Sequence, residues 1–140
     1  MADFYFSRVM LPAIQHLHDL AGQGRPVSLA VTDDAGRTVL VYRMPGAGAR
    51  STQMALGKAY TAGKMAQSTA DFHARLQREN LGLADFMDAG FTSLAGGVPL
   101  CDPQGECVGG LAISGLAPMD DDAMARKMKD FVESAAMGRP

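Results

Sequence analysis

Residues 26–44 read PVSLAVTDDAGRTVLVYRM. Two apolar runs flank Asp33-Asp34-Ala35-Gly36, the pattern of a β-hairpin closed by a three-residue loop. A short carboxylate at Asp33 bonds the backbone just ahead of it, and Gly36 takes a left-handed conformation without a Cβ clash. Asp33 is then expected to oppose Arg37. Counting back pairs Val31 with Val39, Leu29 with Val41 and Val27 with Arg43, which makes one strongly apolar face. Ser28, Ala30, Thr32, Thr38, Leu40 and Tyr42 fall on the other face, which the pattern leaves only partly wet.

Residues 96–115, GGVPLCDPQGECVGGLAISG, repeat the device. Asp102 starts the turn, Pro103 has its φ already set, and Gly105 takes the left-handed position. Asp102 is expected to oppose Glu106. Cys101 is expected to face Cys107, on the side of Leu111 and Ile113.

The rest of the chain reads mainly as helix. Met10, Ile14, Leu17 and Ala21 recur at helical spacing, with Pro12 near the start and Gly22 and Gly24 beyond the end. After the Pro45-Gly46-Ala47-Gly48 turn, Ser51 or Thr52 is expected to cap a helix running to Met65. Its stripe of Ala55, Ala59, Ala62 and Ala66 suits close packing on a sheet or a twin helix, and Lys58 borders it. Ser68 starts a third, more polar helix through Arg78, with Phe72 and Leu76 as its apolar pair. Residues 81–87 read as a short helix or an irregular segment, and residues 91–94 as a strand. Asp120, Asp121 and Asp122 favour the start of a last helix, where the dipole welcomes negative charge. Met124, Met128, Phe131, Val132 and Ala135 are its inward face. Two hairpins among helices give an α+β fold with an antiparallel sheet.

Composition bounds the function. With 140 residues, 47% hydrophobic and 20% charged, the chain reads as a single globular domain over residues 1–140. A formal net charge of −2 without a basic cluster argues against a nucleic-acid partner. The first fifteen residues lack the pattern of a signal peptide, and no apolar run reaches spanning length, so a cytoplasmic protein without a membrane partner is expected. Two cysteines make no disulfide framework; they read as small buried hydrophobes or as a bridge across the second hairpin. Ten methionines without tryptophan suit gap filling or the lining of a ligand pocket.

The ordered runs VSLAVTDDAGRTVLVYRMPGA, MALGKAYTAGKM, GGVPL and GECVGGLAISG resemble the GlcG/HbpS-like family of small bacterial domains, which includes PduO C-terminal-like domains. The resemblance covers residues 26–115. It implies a profilin-like or PAS-like fold with a single five-stranded antiparallel sheet. It also implies a homo-oligomer, from dimer to octamer, and in some members haem binding through a helix-borne histidine near the N-terminus. The chain departs from the family pattern at Pro45, where members carry an aspartate, and residues 71–89 match poorly.

Candidate site residues follow from the pattern and the resemblance together. His16 and His18 are the metal-ligand candidates. They lie about 200° apart on a helix, so only one can face a given iron. His73 falls on the polar third helix and reads as solvated. Arg43, at a strand end, and Lys58, in the family's Gly-Lys-Ala helix, suit a carboxylate or a haem propionate. Gly96, Gly97, Gly109 and Gly110 offer backbone N–H groups to a ligand or allow close packing. The Gly-x-Ser-x-Gly elbow of a hydrolase is absent around Ser114. Two functional classes remain. One is an oligomeric module that binds haem or a related tetrapyrrole. The other is a cofactor-free isomerase, tautomerase or hydrolase, or an accessory subunit, acting on a small organic acid in a catabolic pathway. In that case Arg43 and Lys58 anchor the acid, and Tyr42, Tyr60, Asp33 or a cysteine supplies the base.

Overall fold

The computed structural model describes residues 6–137. Helix α1 spans Met10–Ala21, strands β1 and β2 Ser28–Asp33 and Thr38–Arg43, and helices α2 and α3 Ala49–Met65 and Thr69–Glu79. A 3₁₀ turn, Leu83–Phe86, precedes strands β3, Gly97–Cys101, and β4, Cys107–Ser114; helix α4, Pro118–Ala136, ends the fold. The described residues form one four-stranded antiparallel sheet in the order β2-β1-β4-β3.

The sheet has helices on both faces. On one side Leu29, Val31, Leu111 and Ile113 meet Leu17 of α1 and Ala125, Met128 and Val132 of α4, all fully buried. On the other, Ala30 and Ala112 meet Ala55 and Ala59 of α2. Strand β1 is therefore covered on both faces, and the face expected to be partly wet is dry at Ser28, Ala30 and Thr32. Ser28 keeps its hydroxyl satisfied through Ser51 Oγ, 2.7 Å away.

Both hairpin turns close as the Asp-x-x-Gly pattern dictates. The Asp33 and Asp102 N–H groups donate to the Arg37 and Glu106 carbonyls, each at 2.9 Å. Gly36 and Gly105 both lie at φ +83°. Register along the first hairpin holds to the count at Thr32–Thr38 and departs from it beyond that pair. Leu29 pairs with Tyr42, Val31 with Leu40, and Thr32 with Thr38, so Val39 is an extra residue. This β-bulge turns β2 over. Leu40 and Tyr42 join the large core, and Val39 is exposed.

The second hairpin carries a matching irregularity. Cys101 pairs with Cys107, but Leu100 pairs with Gly109, which leaves Val108 extra. The Cys107 thiol consequently leaves the side of Leu111 and Ile113 and reaches the Gly63 carbonyl of α2 at 3.5 Å. No disulfide joins Cys101 and Cys107.

Three further expectations are corrected. Residues 91–94 are not a strand, so the described sheet has four strands rather than five. There the Thr92 N–H donates to Thr61 Oγ1 at 2.9 Å, which ties the segment to α2 instead of to a sheet edge. Helix α2 is capped by Gly48 rather than by Ser51 or Thr52, and Ser51 Oγ donates back to the Gly48 carbonyl at 2.6 Å. Ala66 leaves the alanine stripe: its left-handed φ of +53° ends the helix. Ser68 caps α3 as expected, accepting from the Asp71 N–H at 3.1 Å.

Candidate functional site

The residues singled out in the sequence fall at separate places. Lys58 lies inside the fold, 3% exposed. Its Nζ donates to Asp121 Oδ2 at 2.9 Å and to the Ile113 carbonyl at 3.2 Å. The other Asp121 oxygen accepts from the Leu116 N–H at 2.9 Å. The carboxylate that Lys58 binds is thus the protein's own, and the pair ties α2 to β4 and α4. Gly96 and Gly97 leave the space this requires. A Cβ on Gly96 would sit 2.9 Å from Lys58 Nζ, and one on Gly97 would strike the Lys58 carbonyl.

Gly109 and Gly110 serve close packing in the same way. A side chain on Gly110 would strike the Ala59 carbonyl, and one on Gly109 the Thr32 carbonyl. Helix α2 rests directly on the backbone of β4. Arg43 is exposed at the end of β2, where Nη1 donates to the Ala47 carbonyl at 2.9 Å. It stands two strands away from the β4 carbonyl that Lys58 holds.

Both α1 histidines have aromatic partners. His16 stacks on Phe131 of α4 with ring centroids 4.1 Å apart and planes 10° apart. His18 Nε2 shares a 2.6 Å hydrogen bond with the Tyr42 hydroxyl of β2. The opposed directions expected from helix geometry are seen here as two different neighbours.

Two clefts were not legible in the sequence. The first, about 400 Å³, lies between the first hairpin, α2 and residues 89–90; Thr32, Thr38, Gln53, Leu56 and Tyr60 contribute to its walls. Its fixed point is Tyr60, whose hydroxyl donates to Asp88 Oδ2 at 2.7 Å. The ring is flanked by Gly36 and Gly90, where a Cβ would come within 2.6 Å and 2.9 Å of it. The hydrogen bond to Asp88, then burial, then the Asp88 charge raise the Tyr60 phenol above its ordinary value. The same hydroxyl, together with the Gly90 N–H and the Lys64 charge, lowers the Asp88 carboxyl.

The second cleft, about 310 Å³, lies between α3, residues 93–95 and the start of α4. Its walls are apolar at Ala70, Leu94, Ala95, Pro118 and Met119, and His73 and Ser93 also line it. Ala70 and His73 are one helical turn apart, so the local sequence places them on one face. Leu94 and Met119 come from distant parts of the chain, and no local signal announces that they meet. Among the described residues no cluster of three or more His, Cys, Asp or Glu side chains suits a bare metal ion. No described helix is long and apolar enough to cross a membrane.

Solved structures share this fold. Klebsiella pneumoniae protein ORFY superposes with a TM-score of 0.74 over 92% of this chain and 88% of that one, at 22% identity. The PduOC:heme complex gives 0.73 over 90% of both chains, at 26% identity. A double mutant of Streptomyces reticuli HbpS gives 0.74 over 93% of this chain and 84% of that one, at 27% identity. No curated protein matches the sequence significantly. A profile of the haem-degrading, HbpS-like proteins matches residues 8–129. Spanning both hairpins and the helices between them, that match shows that the chain belongs to the HbpS-like family of haem-degrading proteins.

Proposed function

We propose that this protein binds haem or a closely related tetrapyrrole as a small oligomeric module. The observation that carries this reading is the likeness to the PduOC:heme complex over 90% of both chains, within one family. The apolar cleft at His73 supports it chemically, because haem needs an apolar slot and an imidazole within reach. Titration of the purified protein with hemin is the test. A saturable shift of the Soret band is expected near one haem per chain, and an unchanged spectrum would sink the reading.

The family resemblance directs attention to His16 and His18. Stacking on Phe131 engages the face of His16 and leaves its in-plane nitrogens, whereas His18 Nε2 is shared with the Tyr42 hydroxyl. Replacing the two together tests whether α1 carries the iron ligand. The organic-acid reading has less support, since Arg43 stands apart and Lys58 is bound to Asp121.

Assembly belongs to the same proposal. The alanine stripe is used up inside the fold against β1 and β4, so a twin helix does not explain it. Association of copies, from dimer to octamer, draws instead on outer surface such as Val39 on the edge strand β2. Light scattering at micromolar concentration reads the copy number, and a purely monomeric solution would remove this part. The proposal places the protein in the cytoplasm, where facing thiols such as Cys101 and Cys107 stay reduced.

A further inference from the structure

Cys101 and Cys107 face one another across the β3–β4 hairpin. The Cys101 N–H turns away from β4 and donates to Glu133 Oε2 at 2.8 Å. The Pro99 carbonyl, on the same outer row, accepts from Lys129 Nζ. Cys101 and Cys107 are therefore a pair without ladder hydrogen bonds. In such pairs the Cα atoms lie about 4.5 Å apart and the side chains come closest. A disulfide spans Cα separations of roughly 4.4–6.8 Å, so the spacing suits a bridge.

The two thiols also share a face. Val98 and Leu100 belong to the large core, so alternation along β3 turns Cys101 to the other side of the sheet. The Cys107 thiol already lies there, 3.5 Å from the Gly63 carbonyl in the last turn of α2. Burial raises the Cys107 thiol above its ordinary value, and the nearby Cys101 adds to that against the Gly109 hydrogen bond. Both residues are half-buried, within reach of a small solute. Lys129 Nζ stands 3.8 Å from Cys101 Sγ while it holds Glu133 Oε2 at 2.6 Å. A cation beside a sulfur makes it the better nucleophile.

We infer that Cys101 and Cys107 form a reversible oxidation site, which hydrogen peroxide closes to a disulfide. The Cys101 sulfur attacks one peroxide oxygen. An S–O bond forms as the O–O bond breaks, and the departing hydroxide takes the thiol proton and leaves as water. The Cys107 sulfur then attacks the sulfenic sulfur. The S–S bond forms, the S–O bond breaks, and a second water leaves with the second thiol proton. The two thiols lose two electrons and the peroxide gains them. Only five residues separate the cysteines, so the bridge adds little stability and serves as a mark that a dithiol can erase. Its formation draws Cys107 from Gly63 and Cys101 from Lys129. The site stands apart from the haem reading and belongs to the protein without haem.

The test treats reduced, haem-free protein with a few-fold excess of peroxide in native buffer and counts thiols by alkylation and intact mass. Wild type should lose both thiols and two hydrogens, and dithiothreitol should restore them. Cleavage after Glu106, which lies between the two cysteines, should give pieces that stay joined until reductant is added. Cys107→Ser should stop at a Cys101 sulfenic acid that dimedone traps. Lys129→Met, with an unchanged circular dichroism spectrum, should lose its thiols about tenfold more slowly. A wild type that keeps both thiols, or that bridges only between two chains, would overturn the site. A Cys107→Ser protein that takes no dimedone would overturn the attack by Cys101, and Lys129→Met reacting at the wild-type rate would remove the role given to Lys129.

Discussion

Lys58 shows how a residue picked for ligand chemistry can hold the fold instead. The Lys58–Asp121 pair is 3% exposed on each side. Removing one partner of a buried pair strands the other charge, which costs about 3–5 kcal/mol. Lys58→Met should therefore lower the urea midpoint sharply. Lys58→Met/Asp121→Leu should recover part of that loss, short of full recovery because the Leu116 N–H then lacks its acceptor. Additive losses in the double variant would show that the two side chains do not act as a pair.

Tyr60 offers a second test at this scale. Its phenol is raised above 10.0, first by the hydrogen bond to Asp88, while the Asp88 carboxyl is lowered below 3.8. The sign follows from linkage. The stabilisation from Asp88 is present above pH 3.8 and fades as pH falls through its folded value; that from Tyr60 is present below pH 10.0 and fades as pH rises through its folded value. Asp88→Asn should bring one phenolate transition, followed by ultraviolet absorbance, down toward pH 10.0. An unmoved transition would mean that the bond does not persist in solution.

At the scale of elements, the two hairpin turns form a natural comparison. Gly36 and Gly105 share φ +83°, yet a Cβ at Gly36 would lie 2.6 Å from the Tyr60 ring and one at Gly105 would meet nothing within 4 Å. Gly105→Ala should cost about 1 kcal/mol, the backbone preference alone. Gly36→Ala should cost about 1–3 kcal/mol more, from overpacking against Tyr60. Equal losses in denaturant melts would contradict the packing described for the Tyr60 ring.

The turns were readable because their chemistry is local: a carboxylate, a preset φ or a glycine acts within four residues. The bulges were not. Val39 and Val108 become extra residues only where a twisted strand has to match neighbours remote in sequence. One such residue reversed the side chains of β2 from Leu40 onward. The Ser68 cap and the inward stripe of α4 were legible for the same local reason as the turns. The clefts draw walls from several elements, and that is why Leu94 and Met119, like the Asp88 partner of Tyr60, carried no signal in the sequence.

At the scale of the whole molecule, the sheet is closed along one edge by side chains. On β3 the Gly97 N–H donates to Thr69 Oγ1 at 2.9 Å and the Cys101 N–H to Glu133 Oε2 at 2.8 Å. Lys129 Nζ reaches the Pro99 carbonyl and Glu133 Oε2, each at 2.6 Å. Proline has no N–H to offer at the middle of that edge. Glu133→Ala should speed hydrogen exchange at the Cys101 amide by about tenfold or more, since its acceptor is gone. An unchanged rate would mean that another group protects the amide.

Edges closed in this unequal way give the sheet a direction. A visiting strand finds the hydrogen-bonding row of β3 already taken, whereas the outer row of β2 has no side-chain partner among the described residues. Two copies can meet β2 to β2 about a twofold axis, and each then presents only its sealed side. Growth through the sheet stops at that pair. The same three side chains that satisfy one strand thereby guard the protein against fibres, leaving any larger assembly to surfaces other than strand edges.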